Sequence, residues 1–454
     1  MEKTIAAIAT GNAAGGLGVI RISGEKAVET ADKVFRPKDG SSLSELKGYR
    51  AKFGSIVFGG ETFDDAVALV FRAPKSYTGE DVVELSVHGG LFIVEKTLEA
   101  VFVAGAAPAE AGEFTKRAFL NGKMDLTQAE SVADLISARG ETAAKASYNA
   151  LQGALSKKIN SVLEALTDCS ASMAAWIDYP DEEIPDLNDD SLAETLETAN
   201  AALAELLKTY ENGRAMVQGI DTAIVGRPNA GKSTLMNLLS GFDKSIVTTV
   251  EGTTRDVVED VVRLGELVLH LNDTAGLRAS TDEVESIGIE RAYQKMESAE
   301  LLLPVFDCSR ALNADDLELI NKCKNKKAVA IINKTDLPAA ADTSLITAAF
   351  ERCVFISAKN CRDTGELEAA IKSVIGSAEF DASAPMLANQ RQKLCCRRAL
   401  EDIKEAISCI AAGVTRDAVN VLIDDAINEL LSLTGKKATV EVVNNIFSKF
   451  CVGK

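Results

Sequence analysis

The chain's 454 residues correspond to about three domains at roughly 150 residues apiece, each long enough to bury a core without disulfide or metal staples. With 49 basic against 67 acidic residues the formal net charge is −18, which argues against a generic cationic nucleic-acid binder, because neutralising phosphates needs Lys and Arg in excess. A composition that is 46% hydrophobic and 26% charged also excludes a disordered or fibrous chain. Residues 1–118 are dense in short apolar runs broken by glycines, at Thr4–Ala9, Val19–Ile22, Phe53–Phe58, Ala66–Phe71 and Val82–Val87, and read as an α+β domain. From Met124 to Glu211 glycine occurs only at 140 and 153 and proline only at 180 and 185. Apolar residues there recur at helical spacing, in one stripe through Leu126, Ala129, Val132, Ala133, Leu135 and Ile136 and another through Leu192, Leu196, Ala202 and Leu206. Two long helices separated near Tyr179, Pro180 and Asp181 are the simplest expectation. Residues 216–378 alternate apolar runs with helical segments, as a doubly wound parallel sheet does. After Pro385 the helical pattern returns and runs almost to Lys454. The fold class expected is therefore multidomain α/β and all-α, with a helical domain in two halves (119–215 and 379–454) around an inserted α/β domain.

Several function classes fall away on residue counts. No run reaches the roughly 18 apolar residues of a membrane span, and Met1, Glu2, Lys3 and Thr4 lack the basic region and apolar core of a signal peptide. A cytoplasmic protein with no membrane partner is expected. The nine cysteines, at 169, 308, 323, 353, 361, 395, 396, 409 and 451, show no C-x-x-C spacing, so neither a disulfide framework nor a zinc ribbon is indicated. His88 and His270 are the only histidines, too few for a multi-histidine metal site in one subunit, and neither is accompanied by a nucleophile elbow.

The sharpest pattern is Ile220–Val225 followed by Gly226, Arg227, Pro228, Asn229, Ala230, Gly231, Lys232, Ser233 and Thr234, then an apolar helix with Leu235, Met236, Leu238 and Leu239. It fits G-x-x-x-x-G-K-[ST] in its strand, loop, helix context. Two glycines let backbone N–H groups approach a phosphate chain at the N-terminus of a helix. Lys232 would reach the β- and γ-phosphates and the Ser233 hydroxyl would bind Mg²⁺. Asp273, Thr274, Ala275 and Gly276 follow the apolar run Leu267–Leu271, placing a carboxylate near Mg²⁺ and an N–H near the γ-phosphate. Asn333, Lys334, Thr335 and Asp336 follow Ala328–Ile332, and a carboxylate at Asp336 accepts both guanine N1–H and the exocyclic amine, which adenine does not offer. Ser357, Ala358 and Lys359 complete the base pocket. The four segments together predict a Ras-like P-loop GTPase domain at 216–378, with GTP as its substrate. Pro304, inside the apolar run Leu301–Phe306, should make that strand start late or bulge, because proline cannot donate to a ladder. Leu277 stands where signalling GTPases carry a water-orienting glutamine, so another group must orient water. No arginine is identifiable as a charge-stabilising finger, although Arg255 and Arg278 lie in loops that could move.

The Gly226–Ser233 loop with its Asn229, the run Gly252, Thr253, Thr254, Arg255, Asp256, the segment Asp273–Arg278 and the ending Phe450, Cys451, Val452, Gly453, Lys454 together resemble the tRNA-modification GTPase family called MnmE or TrmE. The likeness extends to Tyr77–Asp81 and Arg117–Leu120. It implies a homodimer whose G domains meet across their switch regions, with K⁺ in place of an arginine finger. The family's K⁺ ligands map to Asn229, Thr248, Val250 and Thr253, its Mg²⁺ ligands to Ser233 and Thr254, and its water-positioning glutamate to Glu285. Thr249, Glu251, Gly252 and Thr254 belong to the same switch, and Thr254 and Gly276 complete the hydrolytic set with Glu285. Structural alternatives stand beside these: Asn229 as a loop cap, and Glu285, crowded by Asp282 and Glu283, as a solvated helix-face charge.

The first domain resembles tetrahydrofolate-binding domains, which implies a 5-formyl or 5,10-methylene tetrahydrofolate derivative as one-carbon donor. The matching positions are Arg21, Glu84 and Lys123, with Lys454 near the same region. A carboxylate suits the donor edge of a pterin and cations suit a glutamate tail, although all three are equally read as strand-end charges. The cluster Gly15, Gly16, Gly18 does not satisfy G-x-G-x-x-G and reads as a loop that a ligand or backbone approaches closely. Cys451 is open between a reactive thiol and a buried small hydrophobe. Arg391, Lys393, Arg397 and Arg398 form a basic cluster, either a solvated helix face or a tRNA contact. The family resemblance implies an FAD-dependent partner of the MnmG (GidA) type, in a heterotetramer or larger complex, acting with this chain on C5 of the wobble uridine of certain tRNAs to add an aminomethyl or carboxymethylaminomethyl group. The alternative is a GTP-dependent binding switch in ribosome assembly.

Overall fold

The computed structural model describes residues 3–11, 13–178, 189–241, 260–272, 296–361, 363–376 and 381–454. The chain forms two compact units, one of Met1–Ala133, Ile159–Leu187 and Ser408–Lys454 and one of Asp134–Lys158 and Asn188–Ile407. Helices from both of the expected helical halves occur in each unit. Among the described residues no helix is long and apolar enough to cross a membrane.

In the first unit, β1 (Ile5–Ile8), β2 (Leu17–Ser23), β3 (Phe35–Pro37), β4 (Arg50–Phe58), β5 (Glu61–Phe71), β6 (Val82–His88) and β7 (Ala107–Pro108) form one sheet in the order β3-β4-β5-β6-β2-β1-β7. All pairs are antiparallel except β1 with β7. Period-two alternation decides what each strand offers to which face. Ile20, Ile22, Val83, Leu85 and Val87 are buried in one core together with Ala27, Ala31, Val94 and Val101 from helices Ala27–Val34 and Leu91–Val103. Arg21 and Glu84 are register partners on the opposite face. Gly18 has a steric reason: a Cβ there would lie 2.3 Å from Val94 Cγ2. Gly15 and Gly16 exchange hydrogen bonds with Gly89, so the glycine cluster is approached by backbone. A smaller core joins Leu126, Ala129, Val443, Phe447 and Phe450.

The helical stretch is more finely divided than its periodicity suggests. Instead of one long helix in its first part there are three, Leu126–Ser137, Glu141–Leu151 and Ala154–Asp178. Both breaks fall at glycines. Gly140 is extended at the N-cap of the middle helix, and Gly153 turns the chain at φ +81°, a conformation open to glycine at little steric cost. Helix Asp189–Lys208 follows, with Leu192, Leu196 and Leu206 buried.

In the second unit, β8 (Ile220–Val225), β9 (Asp260–Leu264), β10 (Leu267–Asn272), β11 (Leu301–Asp307), β12 (Val329–Asn333) and β13 (Arg352–Ile356) form a sheet in the order β13-β12-β11-β8-β10-β9. Every pair is parallel except β9 with β10. Every residue of β11 and β12 is buried, as expected where helices cover both faces. Leu301, Leu303, Val305 and Ile331 pack with Leu367 and Ile371 on one side, and Leu302, Phe306, Ala330 and Ile332 with Ile320 and Cys323 on the other. This is the Ras-like doubly wound domain of a multidomain α/β and helical chain.

Pro304 departs from expectation. The strand neither starts late nor bulges: Leu301–Pro304 pair in register with Thr222–Val225 of β8. On the other side Leu302 bridges Ala328 and Val305 pairs with Ile331 in one unbroken register. The proline leaves only a local gap in the β11–β12 ladder, and burial on both faces outweighs it.

On the first sheet, His88 Nδ1 lies 2.5 Å from Asp64 Oδ1, and the His88 N–H donates to Asp64 Oδ2 at 2.9 Å. The hydrogen bond and charge of Asp64 raise the imidazole pKa. A raised value means that the contact stabilises fully below the unfolded-state pKa and fades as pH rises through the folded one. We expect the His88 ring to titrate above the ordinary histidine range by NMR, and Asp64→Asn to bring it down. An unmoved His88 titration in that variant would contradict the assignment.

Candidate nucleotide-binding site

The phosphate loop joins β8 to helix Lys232–Gly241. Gly226 and Gly231 have φ of +155° and +103°. A Cβ on Gly226 would meet Val305 O at 2.6 Å, and one on Gly231 would meet Asn333 Nδ2 at 2.1 Å. Asn229 occupies the left-handed region at φ +63°, where Asn is tolerated better than most residues. Lys232 Nζ donates to the Gly226 and Arg227 carbonyls at 2.7 and 2.9 Å, and burial lowers its pKa. Ser233 and Thr234 are exposed in the first helical turn. Arg227 reaches away from the loop to Asp316 Oδ2 at 3.2 Å, while Asp316 also closes a capping box with Asn313 on helix Ala314–Cys323.

The segments expected to recognise the base are held against this loop by one side chain. Asn333, 3% exposed at the end of β12, donates from Nδ2 to Ala230 O at 3.0 Å and accepts at Oδ1 from Ala358 N at 3.0 Å. Lys334 turns the chain at φ +66° and pairs through Nζ with Asp307 Oδ2 at 2.6 Å. The Ser357 hydroxyl donates to Asp336 Oδ1 at 2.7 Å. That hydrogen bond is the main cause holding the exposed Asp336 carboxyl below the usual carboxylate range. An ionised Asp336 is an acceptor only, the chemistry that suits the two adjacent donors of guanine. Ala358 is buried and Lys359 exposed. At Gly231 there is room for backbone alone beside the Asn333 amide.

The sequence pattern did not disclose three of these ties, Asn333 to the phosphate loop, Asp307 to Lys334, and Asp316 to Arg227. Only Asp307 carried a local hint, as a carboxylate at the end of an apolar run. Thr248, Thr249, Val250, Glu251, Gly252, Thr253, Thr254, Asp273, Thr274, Ala275, Gly276 and Glu285 lie outside the described residues, as do Arg255, Leu277 and Arg278.

In the first unit, Arg21 Nε pairs with Glu84 Oε1 at 2.9 Å, and Arg21 Nη1 donates to Gly453 O at 3.4 Å. The guanidinium lies 5.6 Å from the rings of both Tyr77 and Phe114. The Lys454 main-chain oxygen accepts from Phe114 N at 3.2 Å. Lys123 is engaged elsewhere, donating to Pro74 O at 2.9 Å. Arg21, Glu84 and the main chain of 453–454 are thus brought together. Cys451 is exposed, so it is not a buried small hydrophobe. Of the basic cluster, Lys393 pairs with Glu211 at 3.1 Å and lies 4.1 Å from the Tyr210 ring centroid.

A G-x-x-x-x-G-K-S loop between strand and helix and an N-K-x-D segment at a neighbouring strand end, on a doubly wound sheet, are the marks of a P-loop GTPase. The family described as "GTP-binding protein TrmE N-terminus" matches residues 4–123, and that described as "MnmE helical domain" matches residues 126–451. The tRNA modification GTPase MnmE of Acetivibrio thermocellus is 37% identical, covering 100% of this chain and 99% of the relative. That of Symbiobacterium thermophilum is 40% identical, covering 100% of both. The chain belongs to the MnmE family of tRNA-modification GTPases.

Gly231→Ala should weaken binding of a fluorescent guanine nucleotide at least about tenfold, because the added methyl must displace Asn333 from a packed site. Gly241→Ala, where a Cβ meets nothing within 4 Å, should bind normally. Equal affinities in the two variants would contradict the role given to Gly231.

Proposed function

We propose that this chain hydrolyses GTP in a K⁺-dependent manner and, with an FAD-dependent flavoprotein of the MnmG (GidA) type, modifies C5 of the wobble uridine of certain tRNAs. The observation that carries the reading is the coupling of the phosphate loop to the guanine-directed loop through Asn333, in a chain matched over its whole length by tRNA modification GTPases. The division into 1–118, 119–215, 216–378 and 379–454 belongs to the same proposal.

In this reading Ala230, Gly231, Lys232, Ser233 and Thr234 bind the phosphates, and Asn333, Lys334, Asp336, Ser357, Ala358 and Lys359 bind the base. Ser233 and Thr254 would hold Mg²⁺, with Asp273 nearby. Asn229, Thr248, Val250 and Thr253 would hold K⁺, whose charge does the work of an arginine finger when bound. Thr249, Glu251, Gly252, Thr274 and Ala275 line the nucleotide, Gly276 donates its N–H near the γ-phosphate, and Glu285 orients the attacking water. The active form is a homodimer, joined by the flavoprotein in a heterotetramer or larger complex, and it works in the cytoplasm.

Arg21, Glu84, Lys123 and Lys454 are assigned to a 5-formyl or 5,10-methylene tetrahydrofolate derivative, which would supply the one-carbon unit. The convergence of Arg21, Glu84 and the Gly453 carbonyl supports that assignment, since a carboxylate beside a cation offers both polarities to a ring edge.

Hydrolysis should be more than about tenfold faster in KCl than in NaCl at equal ionic strength, a modest share of what an arginine finger contributes. Equal rates would remove the K⁺ assignment. Mass spectrometry of tRNA nucleosides from cells lacking the protein should show loss of a C5-substituted wobble uridine. An unchanged profile would favour the alternative of a ribosome-assembly switch.

A further inference from the structure

Asp307, the last residue of β11, has no part in the reading above, yet it is 2% exposed and charged. Its Oδ2 accepts from Lys334 Nζ at 2.6 Å, and its Oδ1 accepts from the Ser309 amide and hydroxyl at 3.0 and 2.6 Å. Burial opposes ionisation of this carboxyl, and the bonds from Lys334 and Ser309 override that effect and leave its pKa lowered. The next residue grips the same loop. Cys308 N donates to Asn333 O at 3.0 Å, and Cys308 Sγ lies 3.2 Å from Lys334 O. Three consecutive residues of one strand end therefore engage Asn333 and Lys334 or support that engagement.

Lys334 needs such a restraint. Its φ of +66° lies in a region that side chains other than Gly, Asn and Asp seldom occupy, and a residue persists there only where its surroundings over-determine it. Two positions later stands Asp336, the carboxylate that meets Ser357 and faces the base pocket. If Lys334 relaxes to an ordinary backbone conformation, the direction of the chain into Asp336 changes.

We propose that Asp307 is a positioning residue for guanine recognition: through Lys334 it holds the Asn333–Asp336 loop in the left-handed turn that presents Asp336 to the base. This rests on the GTPase reading. A purely structural ion pair would affect all nucleotides alike, whereas a positioning role acts on the base alone.

The test is binding of GTP, GDP and ATP to the full-length protein and its Asp307→Asn variant. Asparagine keeps the shape and an acceptor for Ser309 but removes the charge facing Lys334. GTP and GDP should both weaken by about tenfold, the scale of one charged hydrogen bond, while the weak binding of ATP stays the same. In a Lys334→Ala background the same change should have less than about a twofold effect, and Asp307→Glu should recover most of the loss. Ser309→Ala, which leaves the ion pair in place, is a milder second variant and should give a smaller loss in the same sense. An unchanged guanine-to-adenine ratio in both Asp307→Asn and Ser309→Ala, or equal losses with and without Lys334, would overturn the proposal. Failure of the unaltered protein to prefer GTP over ATP would instead refute the GTPase reading.

Discussion

The candidate nucleotide site depends on one buried amide. Asn333 uses its donor on Ala230 O and its acceptor on Ala358 N, so one side chain ties the 226–231 loop to the ends of β12 and β13. No other side chain of similar size supplies this pair of functions: an aspartate would set a second acceptor against the Ala230 carbonyl, and a leucine would leave two buried backbone groups unpaired, at about 1–3 kcal/mol each. Gly231 is required by the same contact, because a methyl group there would overlap the amide nitrogen. The second glycine of the G-x-x-x-x-G-K-S loop is therefore also what admits the Asn333 clamp.

The doubly wound sheet makes this arrangement possible by gathering the carboxyl ends of β8, β11, β12 and β13 at one edge, the usual place for ligands in open α/β sheets. Asp307 ends β11, Asn333 ends β12, and the phosphate loop leaves β8. Residues far apart in sequence thereby come within hydrogen-bonding distance without any of these loops being long. Pro304 shows how strongly the core enforces this. A missing N–H in the middle of a central strand is tolerated because every residue of that strand is buried and the register on both sides is held by its neighbours.

How much could be read from the sequence follows from which interactions are local. The phosphate loop and the Asn333–Asp336 segment were legible because their chemistry constrains consecutive residues, and the strands of the first sheet because alternation shows within a few positions. The helix breaks at Gly140 and Gly153 were not, since an isolated glycine in a helical pattern is compatible with either outcome. Nor was the pairing of Arg21 with Glu84, which depends on the register of β2 against β6; the same two residues read singly are only charges on strands. Asn333 reads from its own segment as a base-pocket residue, but its grip on Ala230, 103 positions away, is a product of topology.

The first unit shows the same logic at its other end. Gly453, at φ +96°, lies so close to β1 that a Cβ would meet Ile8 O at 2.2 Å. Val452 bridges Ala111, and Arg21 reaches Gly453 O across 432 positions of chain. The final Cys-Val-Gly-Lys segment is thus built into the sheet region that carries Arg21 and Glu84, with glycine where backbone meets backbone and the exposed Cys451 beside it. A tail without that glycine could not seat at this distance, and Arg21 would lose a carbonyl partner while keeping Glu84. The residues that resemble a family ending and those that resemble a cofactor site therefore belong to one arrangement, and a change in either should be felt in the other.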